Sequence, residues 1–160
     1  MINIQLICVG KLKESFYTAA AAEYVKRLGA YCRLGLVELP EERLPKDPSQ
    51  AQIEGALSKE AKLILAQCPP RSSLVALCIE GRQRSSEELA QLLNTWSNRG
   101  ERQLSFVIGG SYGLHPTVKA AAWVQLSMSP MTFPHHLARV MLLEQIYRGF
   151  KINEGSSYHK

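Results

Sequence analysis

No stretch of this 160-residue chain approaches the roughly 18 consecutive apolar residues that a bilayer-spanning helix needs. The opening segment, MINIQLICVGKLK, has too short an apolar run, with its lysines on the wrong side, to act as a secretion signal. It reads as a first strand, and a cytoplasmic location is expected. Cysteine is sparse and scattered: Cys8, Cys32, Cys68 and Cys78 include no C-x-x-C pair, so neither a disulfide framework nor a bound metal is expected. Two glycine signatures are also missing. There is no G-x-x-x-x-G-K-[ST] loop, which disfavours chemistry on nucleoside triphosphates, and no G-x-G-x-x-G of the dinucleotide-binding kind.

What is present is ordinary globular composition, 46% apolar and 21% charged, enough for one packed domain over residues 1–160. Ile2–Val9 is a compact apolar run ending at Gly10, as expected of a buried strand. Over Glu14–Leu28 the apolar residues Phe16, Ala20, Tyr24 and Leu28 recur every fourth position, predicting a helix. Leu34–Leu39 is a second strand, followed by the proline-rich loop PEERLPKDPSQ, to which the sequence assigns no role. Ala51–Ala66 is a second helix, stopped by Pro69-Pro70. Leu74–Ile79 is uniformly apolar, as a strand covered on both faces must be. Ser85 and Glu88 form a capping-box pattern opening a helix through Trp96. Leu104–Ile108, a short helix Pro116–Ala122, a weak strand Val124–Met128 and a long helix Pro134–Lys151 complete the chain, before an irregular NEGSSYHK. In the long helix Leu137, Val140, Met141, Ile146, Tyr147 and Phe150 are the expected packing residues. The alternation predicts an α/β fold with a mostly parallel, doubly wound sheet.

In such sheets ligands bind beyond the carboxyl ends of the strands, and two of those ends carry special residues. One strand runs into Gly109-Gly110, where the backbone can turn sharply and a ligand can approach without meeting a Cβ. The other end, LSMSPMTFPHH, leads through two prolines into the long helix, with Thr132 placed as its cap. Taken singly, each reads as a plain turn or helix start. Net charge is +5, and residues 114–160 hold five basic side chains against Glu144 and Glu154, with all four histidines. That excess is compatible with a polyanionic partner. Arg139 lies a turn from His135 and His136, and Glu144 with Arg148 makes an i, i+4 pair of the kind usually found on surfaces. Tyr158-His159-Lys160 places an aromatic ring beside an imidazole and an ammonium, groups that can stack on a base and accept a proton.

FVIGGSYGL, LSMSPMTFPHHLARVMLLEQIYRGFKI and the closing YHK together resemble the RlmH (YbeA) family of the SPOUT superfamily, over essentially the whole chain. The resemblance implies an α/β sheet whose C-terminal part is threaded into a trefoil knot, and a homodimer with the site near the subunit interface and completed by the last residues. It implies S-adenosylmethionine as cofactor, held by Leu77, Gly109, Gly110, Ser129, Pro130, Met131, Thr132, Phe133 and Pro134. Where some relatives have an acidic residue after that leucine, this chain has Cys78. The implied reaction is methylation of N3 of a pseudouridine in helix 69 of 23S ribosomal RNA, on the assembled ribosome. The imide proton needs an acceptor, for which His159 and His135 are the candidates by residue type. Tyr158 is expected to contact the base, and Arg139, Arg148 and Lys160 the RNA backbone or the developing anion. Another RNA target, such as a transfer RNA, and a non-catalytic ribosome-binding protein are the alternatives. No metal or covalent nucleophile is needed, because a sulfonium methyl group is already electrophilic.

Overall fold

The computed structural model describes residues 1–160. Five strands, β1 (Ile2–Val9), β2 (Cys32–Leu39), β3 (Ser72–Gln83), β4 (Gln103–Ile108) and β5 (Val124–Ser127), form one sheet in the order β2-β1-β4-β3-β5. Every pairing is parallel. The doubly wound α/β class predicted from the sequence is therefore the observed one. Alternating side chains divide the core between the two faces. Ile4, Leu6, Phe106 and Leu126 pack on one side against α1 (Ser15–Leu28), α3 (Ser86–Ser97) and α5 (His135–Asn153). Ile7, Val9, Ala76 and Val107 pack on the other against α2 (Gln50–Ala66) and α4 (Pro116–Ala121). No helix is long and apolar enough to cross a membrane.

The helix starts show how local sequence sets this frame. Ser85 Oγ accepts the Glu88 N–H while Glu88 Oε2 accepts the Ser85 N–H, the box expected from the sequence. Ser49 and Gln52 form a second such box at α2. His115 caps α4: its Nδ1 accepts the Thr117 N–H at 3.2 Å, so the ring proton sits on Nε2 and is donated to Glu54 at 2.6 Å, tying α4 to α2.

Three details differ from expectation. Phe16, counted on the helical stripe of α1, is 65% exposed; of that stripe Leu28 is buried and Tyr24 packs against the core, and Ala21 joins them. In α5 the fully buried residues are Arg139, Leu142, Leu143, Ile146 and Gly149. Of the expected packing set Ile146 is among them and Val140, Tyr147 and Phe150 pack against the core partly buried, because the helix lies against both α1 and α3 and buries the line between them. Thr132 does not cap α5. The N-cap is Pro134, with no side-chain hydrogen bond.

The most consequential irregularity is in β3. Leu77 pairs with Leu126, and so does Arg82, so the four residues between them are pushed out of register. Gly81 permits this: a Cβ there would stand 2.8 Å from the backbone carbons of Gln125 and Leu126. The bulge places Cys78, Ile79 and Glu80 above the strand ends instead of in the ladder.

Candidate cofactor pocket and the cluster around the last residues

A cavity of about 740 Å³ opens at the carboxyl ends of β4, β3 and β5, within the range of small-molecule sites. Leu77, Ile108, Leu126 and Met128 make an apolar floor. One wall is the loop Gly109–Leu114, held as a tight turn by the Gly113 N–H donating to the Gly110 carbonyl at 3.1 Å. A Cβ on Gly109 would fall 2.7 Å from the Gly113 carbonyl carbon, so the turn closes only around glycine. The opposite wall is the segment Met128–Pro134, in which Ser129 Oγ accepts the Met131 N–H at 2.9 Å. His135 and Ala138 of α5 close the inner end, and the β3 bulge with Lys119 forms the rim. Lys119 is paired with Glu80.

His135 is half-buried, and its pKa is lowered by burial and by the neighbouring His136, whose ring centroid is 4.2 Å away. It is therefore neutral at physiological pH and available as a proton acceptor.

A second group of polar residues lies further along α5. There a smaller cavity of about 530 Å³ shares Leu126 and Met128 with the first and is lined also by Tyr24, Arg84, Ser127, Val140 and Glu144. Residues 155–160 fold back along α5 beside it. Arg148 donates from Nε and Nη2 to Glu144 Oε1 at 2.9 and 2.6 Å, and the Tyr158 hydroxyl donates to the same oxygen at 3.2 Å. The Arg148 guanidinium lies over the Tyr158 ring, 4.8 Å from its centroid. Burial and the Glu144 charge raise the Tyr158 pKa, keeping it a neutral donor. Arg148 Nη1 is 3.2 Å from His159 Nδ1. Because a guanidinium can only donate, Nδ1 is the acceptor and the proton sits on Nε2, donated to Glu87 Oε1 at 2.8 Å.

The family model described as "Predicted SPOUT methyltransferase" matches residues 2–159. The chain belongs to the SPOUT methyltransferase family. Among solved structures, a probable methylase family protein from Haemophilus influenzae Rd KW20 is similar over 99% of this chain and 71% of its own, at 15% identity and a TM-score of 0.56. That likeness is one of fold. SPOUT methyltransferases take their methyl group from S-adenosylmethionine.

Placed in this SPOUT frame, the residues singled out from the sequence fall into two sets. Leu77, Gly109, Gly110, Ser129, Met131, Thr132, Phe133, Pro134 and His135 all line the larger cavity; Pro130 does not. Glu144, Arg148, Tyr158 and His159 meet further along α5, and Lys160 beyond them is exposed. Arg139 belongs to neither set. It is 4% exposed and engaged by Glu38 and the Gly10 carbonyl, a placement that its spacing from His135 did not reveal. Glu144–Arg148 is a half-buried, shared node instead of a surface pair. Sequence reasoning passed over Glu41, Glu38 and the Glu80–Lys119 rim, and only Gly81, in an otherwise strand-like run, signalled the bulge that carries Glu80.

Proposed function

We propose that this SPOUT-family methyltransferase is a knotted, single-domain, homodimeric enzyme that methylates N3 of a pseudouridine in helix 69 of 23S ribosomal RNA on the assembled ribosome, using S-adenosylmethionine. The observation that carries the reading is the glycine-walled, apolar-floored cavity with a neutral imidazole at its inner end.

The residues present fit this cofactor. The apolar floor suits an adenine ring, and the backbone groups of two loops suit its polar edges. The one basic side chain at the rim is already neutralised by a carboxylate, so the pocket favours a nucleoside without phosphates. Leu77, Gly109, Gly110, Ser129 and the segment Met131–Pro134 would hold it. When bound, it supplies an electrophilic methyl group that needs no metal and no covalent enzyme intermediate.

The protein's own task is to bring the pseudouridine imide nitrogen in line with that methyl group, exclude water and receive the proton. His135 is placed for the last step. Its imidazole lines the cavity and starts neutral. In this arrangement His159 has no free acceptor nitrogen, since Arg148 occupies Nδ1 and Nε2 carries the proton. A base role for it requires release from Arg148 on substrate binding. Tyr158 supplies a ring and a hydroxyl for the base, and Arg148 and Lys160 supply charge for the phosphates or the developing imide anion.

In one chain Glu144, Arg148, Tyr158 and His159 do not line the larger cavity. A second copy that sets residues 144–160 against this chain's pocket would assemble a complete site from two halves. The half-buried Leu137 and Met141 on α5 and the exposed Phe16 on α1 provide apolar surface for such an interface.

Transfer of tritiated methyl from S-adenosylmethionine to ribosomes lacking the modification, with naked ribosomal RNA and transfer RNA in parallel, tests the reading. Labelling of ribosomes alone is expected. Labelling of transfer RNA alone would redirect the target, and labelling of none would remove the enzymatic proposal.

A further inference from the structure

The connection Pro40–Ser49 is the one loop to which neither the sequence pattern nor the family's chemistry gives a part, yet it is anchored in two places. The Glu42 N–H donates to the buried Glu60 carboxylate at 2.9 Å, fixing the connection to α2. One residue earlier, Glu41 Oε1 accepts the Ser111 N–H at 2.9 Å, and so holds the glycine loop that walls the cofactor cavity. The fit is close: a Cβ on Gly110 would lie 2.6 Å from that same oxygen. The other carboxylate oxygen faces α5. Glu41 Oε2 and His135 Nε2 each lie 3.7 Å from the point where a Cβ on Gly10 would stand, so the two side chains converge over that glycine.

We propose that Glu41 is a positioning residue for methyl transfer, fixing the Gly109–Gly113 wall with one oxygen and supporting the proton-bound form of His135 with the other. Three segments distant in sequence meet in this carboxylate: the end of β1 at Gly10, the glycine loop and the start of α5. The charges facing His135 come from several elements. His136 and Arg139 on α5 disfavour its protonation, whereas Glu41 on the connection and Glu14 before α1 favour it. Glu41 is the one among them that also holds the cofactor loop. A carboxylate in that place lets the imidazole accept a proton in a half-buried site without stranding a positive charge. Glu41 reaches the reaction through Ser111 and His135.

This inference rests on the methyltransferase reading, and two measurements that need no RNA separate the fate of one from the other. The first is S-adenosylmethionine affinity by calorimetry for the wild type, Glu41→Gln and Glu41→Ala. The second is titration of the His135 ring by NMR in the wild type and Glu41→Gln. Glutamine keeps an acceptor for the Ser111 N–H and loses the charge; its affinity is expected to stay within about twofold, while the His135 pKa falls. Alanine loses both, and affinity is expected to drop by about tenfold, as for one charge-assisted hydrogen bond. An unchanged His135 titration in Glu41→Gln, or wild-type affinity in Glu41→Ala, overturns the role assigned to Glu41. Failure of the wild type itself to bind S-adenosylmethionine would instead overturn the functional reading beneath it.

Discussion

Arg139 Nη1 donates to Glu38 Oε2 at 2.7 Å, joining the first turns of α5 to the end of β2. The same guanidinium donates from Nη2 to the Gly10 carbonyl at 3.0 Å, and Glu38 also accepts the Leu12 N–H at 3.0 Å. The loop after β1, the end of β2 and the helix that opens beside the larger cavity are thus fastened at one point. An arginine that spacing alone offered as an anion ligand is instead a structural tie under the site.

Removing that tie has a defined effect. Arg139→Met keeps much of the buried volume but leaves the Gly10 carbonyl without its donor. Glu38 retains the Leu12 N–H and is 37% exposed, so its charge is not stranded. The expected loss is about 1–3 kcal/mol, measured by urea unfolding. Replacement without loss of stability would show that the pair contributes nothing net.

Two carboxylates carry opposite pH signatures. Burial raises the Glu38 pKa, but the hydrogen bonds from Arg139 and Leu12, with the Arg139 and Lys11 charges, outweigh it and hold the pKa below the ordinary 4.5. Its contribution to stability is present above that value and lost as pH falls through the lower folded one. Glu60 is the reverse: burial first, then the Glu41 and Glu42 charges, raise its pKa above 4.5. Its ionised form therefore costs stability above the folded pKa, and the cost disappears as pH falls toward 4.5. Glu60→Gln is expected to be more stable than the wild type at pH 7, with the gain gone below pH 4.5. Stability curves of Glu38→Gln and Glu60→Gln against pH check both signs.

The layered fold was legible because each strand is a short apolar run and each helix is bounded by its own caps, prolines or glycines. Ser85 with Glu88 and Pro69-Pro70 are local signals, and local signals survive folding. The cavity walls were legible in part, since Gly109-Gly110 and the prolines around Met131 mark backbone that cannot be regular. What the sequence could not display were partnerships across the chain. Glu41 with Ser111, Arg139 with Glu38 and His159 with Glu87 join residues 70 or more positions apart, and no periodicity encodes them. The exposed Phe16 has the same origin: a four-residue repeat names a stripe, but the neighbouring helices decide how much of it is buried.

The glycine wall makes a paired prediction. In Gly109→Ala the new methyl group meets the Gly113 backbone, which no rotamer change can relieve, and cofactor binding is expected to be lost. Gly113 has φ +80° with open space around its Cβ position. Gly113→Ala is therefore expected to cost roughly 1–3 kcal/mol of stability through strain alone, with weaker rather than abolished binding. Calorimetric titration and thermal melts of the two variants distinguish steric closure from backbone strain. Equal loss of binding in both would refute the distinction.

A site assembled from two chains predicts complementation. Gly109→Ala disables the cofactor pocket and Arg148→Ala disables the cluster of the last residues, so each protein alone is expected to be inactive toward ribosomes. Mixed dimers, formed by refolding the two together, contain one intact composite site and should recover methylation. If activity stays absent in verified mixed dimers, each chain must build its site alone.

The nucleoside that is modified tests the proposed function most directly. Ribosomes lacking the modification are incubated with the protein and S-adenosylmethionine bearing a deuterated methyl group, and the nucleosides of the 23S RNA are then resolved by mass spectrometry. The predicted result is deuterated methyl on N3 of a single pseudouridine within helix 69. Deuterium on any other nucleoside, or none in the RNA at all, would contradict it.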